Sequence, residues 1–258
     1  MGKIIAFHSY KGGTGKTLLS INLAATYAKN GNDVCLLDLD FRAPSLQARF
    51  KTKGNGYWLN DYLNGVCEIK NALIDLSHLH SGTGKFLVGL ANPSTEAIRE
   101  MSAKDRKWEM KALGRLLALR NSLLNDMHLN YLILDTSPGL QYSSINAIVA
   151  ADVALVVTSL DTSDIIGTQR MVHELYDLFE KKTMIVVNKV LSDMLSSPAG
   201  NNNFSDYFHN TYDLPVLDSI TCSCDVLRVG GTCVFTEEKQ EHPFTNSLKR
   251  IAGKIEKL

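Results

Sequence analysis

Residues 10–17 read Tyr10-Lys11-Gly12-Gly13-Thr14-Gly15-Lys16-Thr17. A short apolar run over residues 3–7 leads into this stretch, and a helix-like run opens at Leu18. A glycine-rich loop between a strand and a helix is built to hold phosphate. Its backbone N–H groups point inward, the helix N-terminus adds partial positive charge, and glycine keeps side chains out of the way. In such a loop Lys16 reaches the β- and γ-phosphates and the Thr17 hydroxyl ligates Mg²⁺. The general pattern places glycine six residues before that lysine, where this chain has Tyr10.

Strand and helix patterns alternate on either side of the loop. Residues 3–8 read as a strand, 15–29 as a helix, 31–33 as a Gly-Asn-Asp turn and 34–39 as a buried strand. Residues 85–90 read as a strand, and 95–126 as one long helix or two, with Gly114 as a weak point. A strand at 131–135 runs into Thr-Ser-Pro-Gly, and further apolar runs follow at 153–158, 184–188 and 216–220. Short apolar runs separated by helical stretches predict an α/β fold, a doubly wound, mostly parallel sheet with helices on both faces. The expected organisation is a single domain over residues 1–258. Ligands of such sheets bind at the carboxyl ends of the strands. The loop at 10–17, Asp38 with Asp40 and Arg42, Asp135 with Gly139, and Asn188 with Lys189 all fall there, so they should converge on one edge.

Lys plus Arg equals Asp plus Glu at 27 each, and the zero net charge gives no sign of a basic DNA-binding surface. Nucleic-acid or membrane contact is thus not indicated by charge or by a clear tail. No apolar stretch reaches transmembrane length and residue 1 leads directly into a strand, which points to a cytoplasmic protein. The opening Met-Gly does not complete a myristoylation motif, because position 6 is Ala6. Five cysteines in such a chain do not read as a disulfide framework, and Cys35, inside an apolar strand, reads as core.

The Lys11-Gly12-Gly13-Thr14-Gly15-Lys16-Thr17 form resembles the deviant Walker A loop of the ParA/MinD family of P-loop ATPases. The resemblance implies ATP and Mg²⁺ as ligands, an ATP-dependent homodimer, and an unidentified protein partner that reads the ATP state. It assigns nucleotide binding to Lys11, Gly12, Gly13, Thr14, Gly15, Lys16, Thr17 and Leu18, with Lys11 crossing the dimer interface to the partner's nucleotide. Asp38-Leu39-Asp40-Phe41-Arg42 resembles the first switch of that family, which puts Asp40 on the attacking water and Asp38 in the Mg²⁺ shell. Residues 132–139, Leu-Ile-Leu-Asp-Thr-Ser-Pro-Gly, resemble Walker B running into the second switch, with Asp135 holding Mg²⁺ directly or through water. Asn188 resembles the asparagine that reads adenine, an amide offering a donor and an acceptor to the base edge. Lys11, Lys16 and Asp40 would carry catalysis, by positioning and charge neutralisation. Turnover would be slow unless stimulated. The expected role is spatial organisation, such as partition of DNA or placement of a cell structure.

An alternative role, assembly or delivery of a metal centre, would use Cys222 and Cys224, two thiols that a two-fold dimer could complete to a Cys₄ site, with Cys233 nearby. A ligase or synthetase on the same fold has little use for Lys11, and a tyrosine-kinase reading lacks a tyrosine-rich tail. His78 and His80 make no site by themselves, and Trp108 reads as one packing aromatic in a charged helix. Phe244, Leu248, Ile251, Ile255 and Leu258 form one apolar helical stripe, read as a core face rather than a membrane-binding one.

Overall fold

Eight strands form one sheet in the order β3-β4-β2-β5-β1-β6-β7-β8. In the computed structural model, residues 2–176, 179, 181–195, 198–229 and 234–258 are described. The strands are β1 (Lys3–His8), β2 (Val34–Leu39), β3 (Leu73–Asp75), β4 (Phe86–Gly89), β5 (Tyr131–Thr136), β6 (Val153–Thr158), β7 (Lys182–Val190) and β8 (Val216–Thr221). All neighbours pair in parallel except β3, which runs antiparallel on β4 at one edge.

The longer helices are α1 (Lys16–Lys29), α4 (Thr95–Ser102), α5 (Arg106–Leu119), α6 (Tyr142–Ala150), α7 (Thr162–Leu175), α8 (Pro198–Tyr212) and α11 (Pro243–Glu256). Short helical turns complete the set: α2 (Leu46–Phe50), α3 (Leu59–Asn64), α9 (Cys224–Arg228) and α10 (Phe235–Glu238). Among the described residues, no helix is long and apolar enough to cross a membrane.

Strands buried on both faces need apolar residues at every position, and the sequence supplies them: all six residues of β2, β5 and β6 are buried. Alternation then splits each strand between two cores. Ile5 and Phe7 of β1 join the cluster under α1 and α11, while Ile4 and Ala6 join the one under α5 and α6. Tyr27 of α1 stacks on Tyr131 at a ring separation of 3.8 Å. Phe244, Leu248, Ile251 and Ile255 of α11 are buried in the same cluster and Leu258 packs against it, so the C-terminal stripe is a core face.

The helical stretch at 95–126 is divided, but not at Gly114. The break falls at 103–105, where the Asp105 side chain accepts from the Trp108 N–H at 2.8 Å and caps α5. Gly114 lies on the exposed face of α5 with open space around it, so the helix passes through. Beyond Leu119 the turn widens into a π-helix, Arg120–Asp126. Strand β7 is longer than the apolar run at 184–188, because it continues past an irregularity between Val187 and Val190.

Candidate functional site

The carboxyl ends of β1, β2, β5 and β7 meet in one cleft of about 580 Å³. Its lining includes Gly12, Gly13, Gly15, Lys16, Thr17 and Leu18 from the glycine-rich loop and start of α1, Asp40 and Arg42 from the loop after β2, and Lys189 from β7. The loop follows the fully buried His8 and Ser9 and opens directly into α1. Gly13 and Gly15 take left-handed backbone angles, φ +80° and +102°. A Cβ on Gly13 would meet nothing within 4 Å, whereas one on Gly15 would lie 2.3 Å from the Asn188 amide. Glycine at 13 thus leaves open room in the cleft, and glycine at 15 lets β7 close against the loop. The first turn of α1 carries no acidic residue to compete for an anion.

Lys16 is buried, and its ammonium donates to the Ser9 hydroxyl at 2.7 Å. That hydroxyl in turn donates to the Lys11 carbonyl at 2.7 Å. Burial holds the Lys16 pKa below the usual lysine range, against the pull of Asp135, Asp40 and Asp164. Tertiary structure brings Asp135 to Asp38 and Asp40, about a hundred residues earlier in the chain. Asp38 and Asp135 are direct neighbours across β2 and β5, each 1% exposed. Burial raises the Asp38 carboxyl well above its ordinary value, and Asp135 pushes in the same direction. Asp135 is raised to about 6, by burial first, against the Thr17 hydroxyl bonded to it and the charge of Lys16.

The carboxylates have different partners. Asp38 accepts the backbone N–H groups of Asp40, Ser45 and Leu46, so it fixes the loop that carries Asp40. Asp40 accepts from the Ser137 hydroxyl at 2.8 Å and the Ala43 N–H at 3.1 Å, which ties the loop after β2 to the loop after β5. Asp135 Oδ1 is buried with no hydrogen-bond partner. An orphaned carboxylate oxygen beside a hydroxyl, in a site where burial opposes negative charge, fits a hard divalent cation. Among the described residues no three His, Cys, Asp or Glu side chains form a metal site by themselves. Magnesium here would therefore rely on Thr17, Asp135, water and phosphate oxygens.

The irregularity in β7 turns Asn188 toward the loop, with Lys189 in a left-handed conformation at φ +60°. The Asn188 amide donates to the Thr14 carbonyl at 2.7 Å, and its oxygen accepts the Lys189 N–H at 2.9 Å. A carboxamide has a second hydrogen and a second lone pair, which suffice for a base edge. Lys189 donates to the Gly13 carbonyl at 2.7 Å. Val226 and Leu227, in the segment after β8, close the far side of the cleft.

Lys11 stands apart. Its ammonium lies on Asp161 Oδ1 at 3.2 Å and on the Ser163 hydroxyl at 3.0 Å, outside the cleft that its own loop forms. Tyr10 (42%) beside it in the loop is exposed, as are Leu140 and Tyr142 (58%) after β5, Ile166 of α7 and Leu227 of α9. The Tyr10 ring seats against α7 at Gly167, where a Cβ would come within 2.0 Å of it.

Sequence reasoning passed over His8, Ser9, Ser137 and Arg49. Arg49 lines the cleft from α2 and its charge reaches Asp135. Ser137 lies within the second-switch stretch without a role assigned to it, while no local motif marks His8, Ser9 or Arg49. Cys222 and Cys224 are exposed free thiols, and Cys233 lies outside the described residues. His78 is exposed, while His80 accepts the Gly82 N–H. Trp108 packs partly against the core and donates to Asn64 at 2.8 Å.

The AAA domain family is matched over residues 2–191. The septum site-determining protein MinD of Thermotoga maritima is 26% identical over 258 residues, covering 99% of this chain and 88% of that protein. Among solved structures, MinD from Pyrococcus horikoshii complexed with Mg-ADP superposes with a TM-score of 0.75 at 20% identity, covering 100% of this chain and 97% of its own. A putative plasmid partition protein from Borrelia burgdorferi bound to AMPPNP gives 0.73 at 17% identity, covering 100% of each chain. The doubly wound, mostly parallel sheet is the P-loop NTPase fold of these structures.

Proposed function

Because this chain belongs to the ParA/MinD family of P-loop ATPases, we propose that it hydrolyses ATP to ADP as an ATP-dependent dimerising switch. In this reading the phosphates lie along residues 12–17 and the base lies between Asn188 and the turn at Val226 and Leu227. Thr17 and Asp135 hold magnesium, directly or through water, with Asp38 behind them fixing the loop. The ion, when bound, supplies charge neutralisation of the phosphate oxygens. Lys16 contacts the phosphates in cis, Lys11 those of a second copy, and Asp40 orients the attacking water. Loss of the γ-phosphate relaxes the loops after β2 and β5, which changes the surface offered to a protein partner. Hydrolysis is weak until that partner binds.

One observation carries the dimer: the Lys11 ammonium sits outside its own cleft, held by Asp161 and Ser163, while neighbours of its loop and of α7 such as Tyr10 and Ile166 are exposed apolar side chains. An ammonium that cannot serve its own nucleotide from there is available to a neighbour's, and exposed apolar side chains are what a second copy would cover. The relatives are named for septum placement and plasmid partition, which favours spatial organisation as the cellular role. The metal-delivery alternative draws only on Cys222 and Cys224, and metal analysis of the reduced protein and of Cys222→Ser separates the two.

The test is Asp40→Ala, followed by light scattering with ATP and Mg²⁺. The expected result is a stable ATP-loaded dimer without turnover. A variant that stays monomeric when saturated with nucleotide ends the dimer proposal, and one that hydrolyses at the wild-type rate removes Asp40 from the water.

A further inference from the structure

We propose that His8 is a positioning residue that latches the second switch loop to β1, in the Nε2–H tautomer that the Gly139 carbonyl dictates, with the Tyr176 hydroxyl at the end of α7 holding the other ring nitrogen. The inference rests on the switch reading above and names a residue pair to which that reading gives no task. His8 is the last residue of β1 and is fully buried. Its Nε2 lies 2.8 Å from the Gly139 carbonyl, and its Nδ1 lies 2.7 Å from the Tyr176 hydroxyl.

The chemistry of the partners fixes the proton. A carbonyl oxygen only accepts, so Nε2 carries the hydrogen. Burial, with the charge of Lys16, lowers the His8 pKa to about 4, so the ring is neutral near pH 7. Nδ1 is then bare and accepts from the Tyr176 hydroxyl, which burial keeps protonated. The polar chain runs from Tyr176 O–H to His8 Nδ1, then from His8 Nε2–H to the Gly139 carbonyl.

Gly139 is where this chain acts on the site. Its φ is +76°, and its N–H donates to the Ser9 carbonyl at 2.8 Å. Both its backbone groups are thus tied to consecutive residues at the mouth of the phosphate loop. Two residues earlier, the Ser137 hydroxyl holds Asp40 Oδ1. Releasing Gly139 loosens Ser137, and through it the carboxylate assigned to the attacking water. His8 itself bonds Tyr176 and Gly139 and not the glycine-rich loop that binds the nucleotide. Loss of the latch should therefore lower kcat and spare ATP affinity.

Side-chain length separates the two bonds. Glutamine carries an N–H near the ε position and asparagine one near the δ position. His8→Gln keeps the bond to Gly139 and should hold kcat within about twofold of wild type, whereas His8→Asn and His8→Leu should each lose about tenfold, with ATP affinity unchanged in all three. Tyr176→Phe should lose less, because the Nε2–H bond to the Gly139 carbonyl survives. ¹⁵N NMR of the histidine ring, assigned by difference with His8→Gln, should show the Nε2–H tautomer in wild type and in Tyr176→Phe alike, because the Gly139 carbonyl is present in both. An Nδ1–H ring in wild type overturns the proposal. So do wild-type turnover in His8→Leu and a fall in kcat and ATP affinity together in every variant, the mark of a purely structural role. If wild-type protein does not hydrolyse ATP at all, the switch reading fails instead, and the NMR result still decides the tautomer.

Discussion

Replacing Asp135 by asparagine should stabilise the magnesium-free protein while ending magnesium-dependent hydrolysis. Asp135 faces Asp38 across the β2–β5 ladder, and both are buried. Burial is the main cause that raises the Asp135 carboxyl from 3.8 to about 6; Asp40 adds to it, while the Thr17 hydroxyl, Lys16 and Arg49 oppose it. The unfolded chain releases this proton near 3.8 and the folded chain near 6. Between those values the folded state holds a proton that the unfolded state lacks, so stability falls as pH rises through the window. Above it the full cost is present, about 3 kcal/mol. An amide of the same shape carries none of that cost. In thermal unfolding without nucleotide or magnesium, Asp135→Asn should melt about 5–10 °C above wild type near pH 7.5. The gap should close by about pH 4, where the wild-type carboxyl is protonated. His8 contributes the opposite slope, because its folded pKa of about 4 lies below the ordinary 6.5 and acid destabilises it. That slope is common to both proteins and drops out of their difference. A variant no more stable than wild type near neutrality, or a gap that does not change with pH, would refute the claim that a buried negative charge is held there at a cost.

Lys16→Ala should weaken ATP binding by about 100-fold or more, since a charge-assisted contact to phosphate is lost from a buried position. Unchanged affinity by calorimetry would count against the phosphate assignment. Lys11→Ala should bind ATP with wild-type affinity yet fail to dimerise and fail to hydrolyse. Its ammonium lies outside its own cleft, so a fall in monomer affinity by equilibrium binding would place Lys11 in cis.

The phosphate loop was legible because all its residues are contiguous and its spacing is enforced by the geometry of one turn. The convergence of the strand ends was legible from the alternation of apolar runs with helices. What the one-dimensional pattern could not carry is register. Asp38 and Asp135 oppose each other because β2 and β5 pair with those two residues level, and nothing local in either segment says so. The same holds for His8, Gly139 and Tyr176, three residues on three elements. The oxygens of Asp38 meet backbone N–H groups of the following loop, a partnership visible only once that loop has folded back. The stretch at 95–126, open to reading as one helix or two, divides at 103–105 and not at Gly114 for a different reason. Glycine is a weak breaker on an exposed face, and the capping aspartate at 105 is the stronger signal.

The seat of the Tyr10 ring on Gly167 makes bulk at one position and its absence at the other a single specification written in two places. A chain that regained the small residue which phosphate loops usually carry at position 10 could tolerate a side chain at 167, while a methyl group added at 167 alone would evict the ring. The order of change is therefore constrained: a smaller residue at 10 meets no obstacle while 167 stays glycine, whereas bulk at 167 has to come after it.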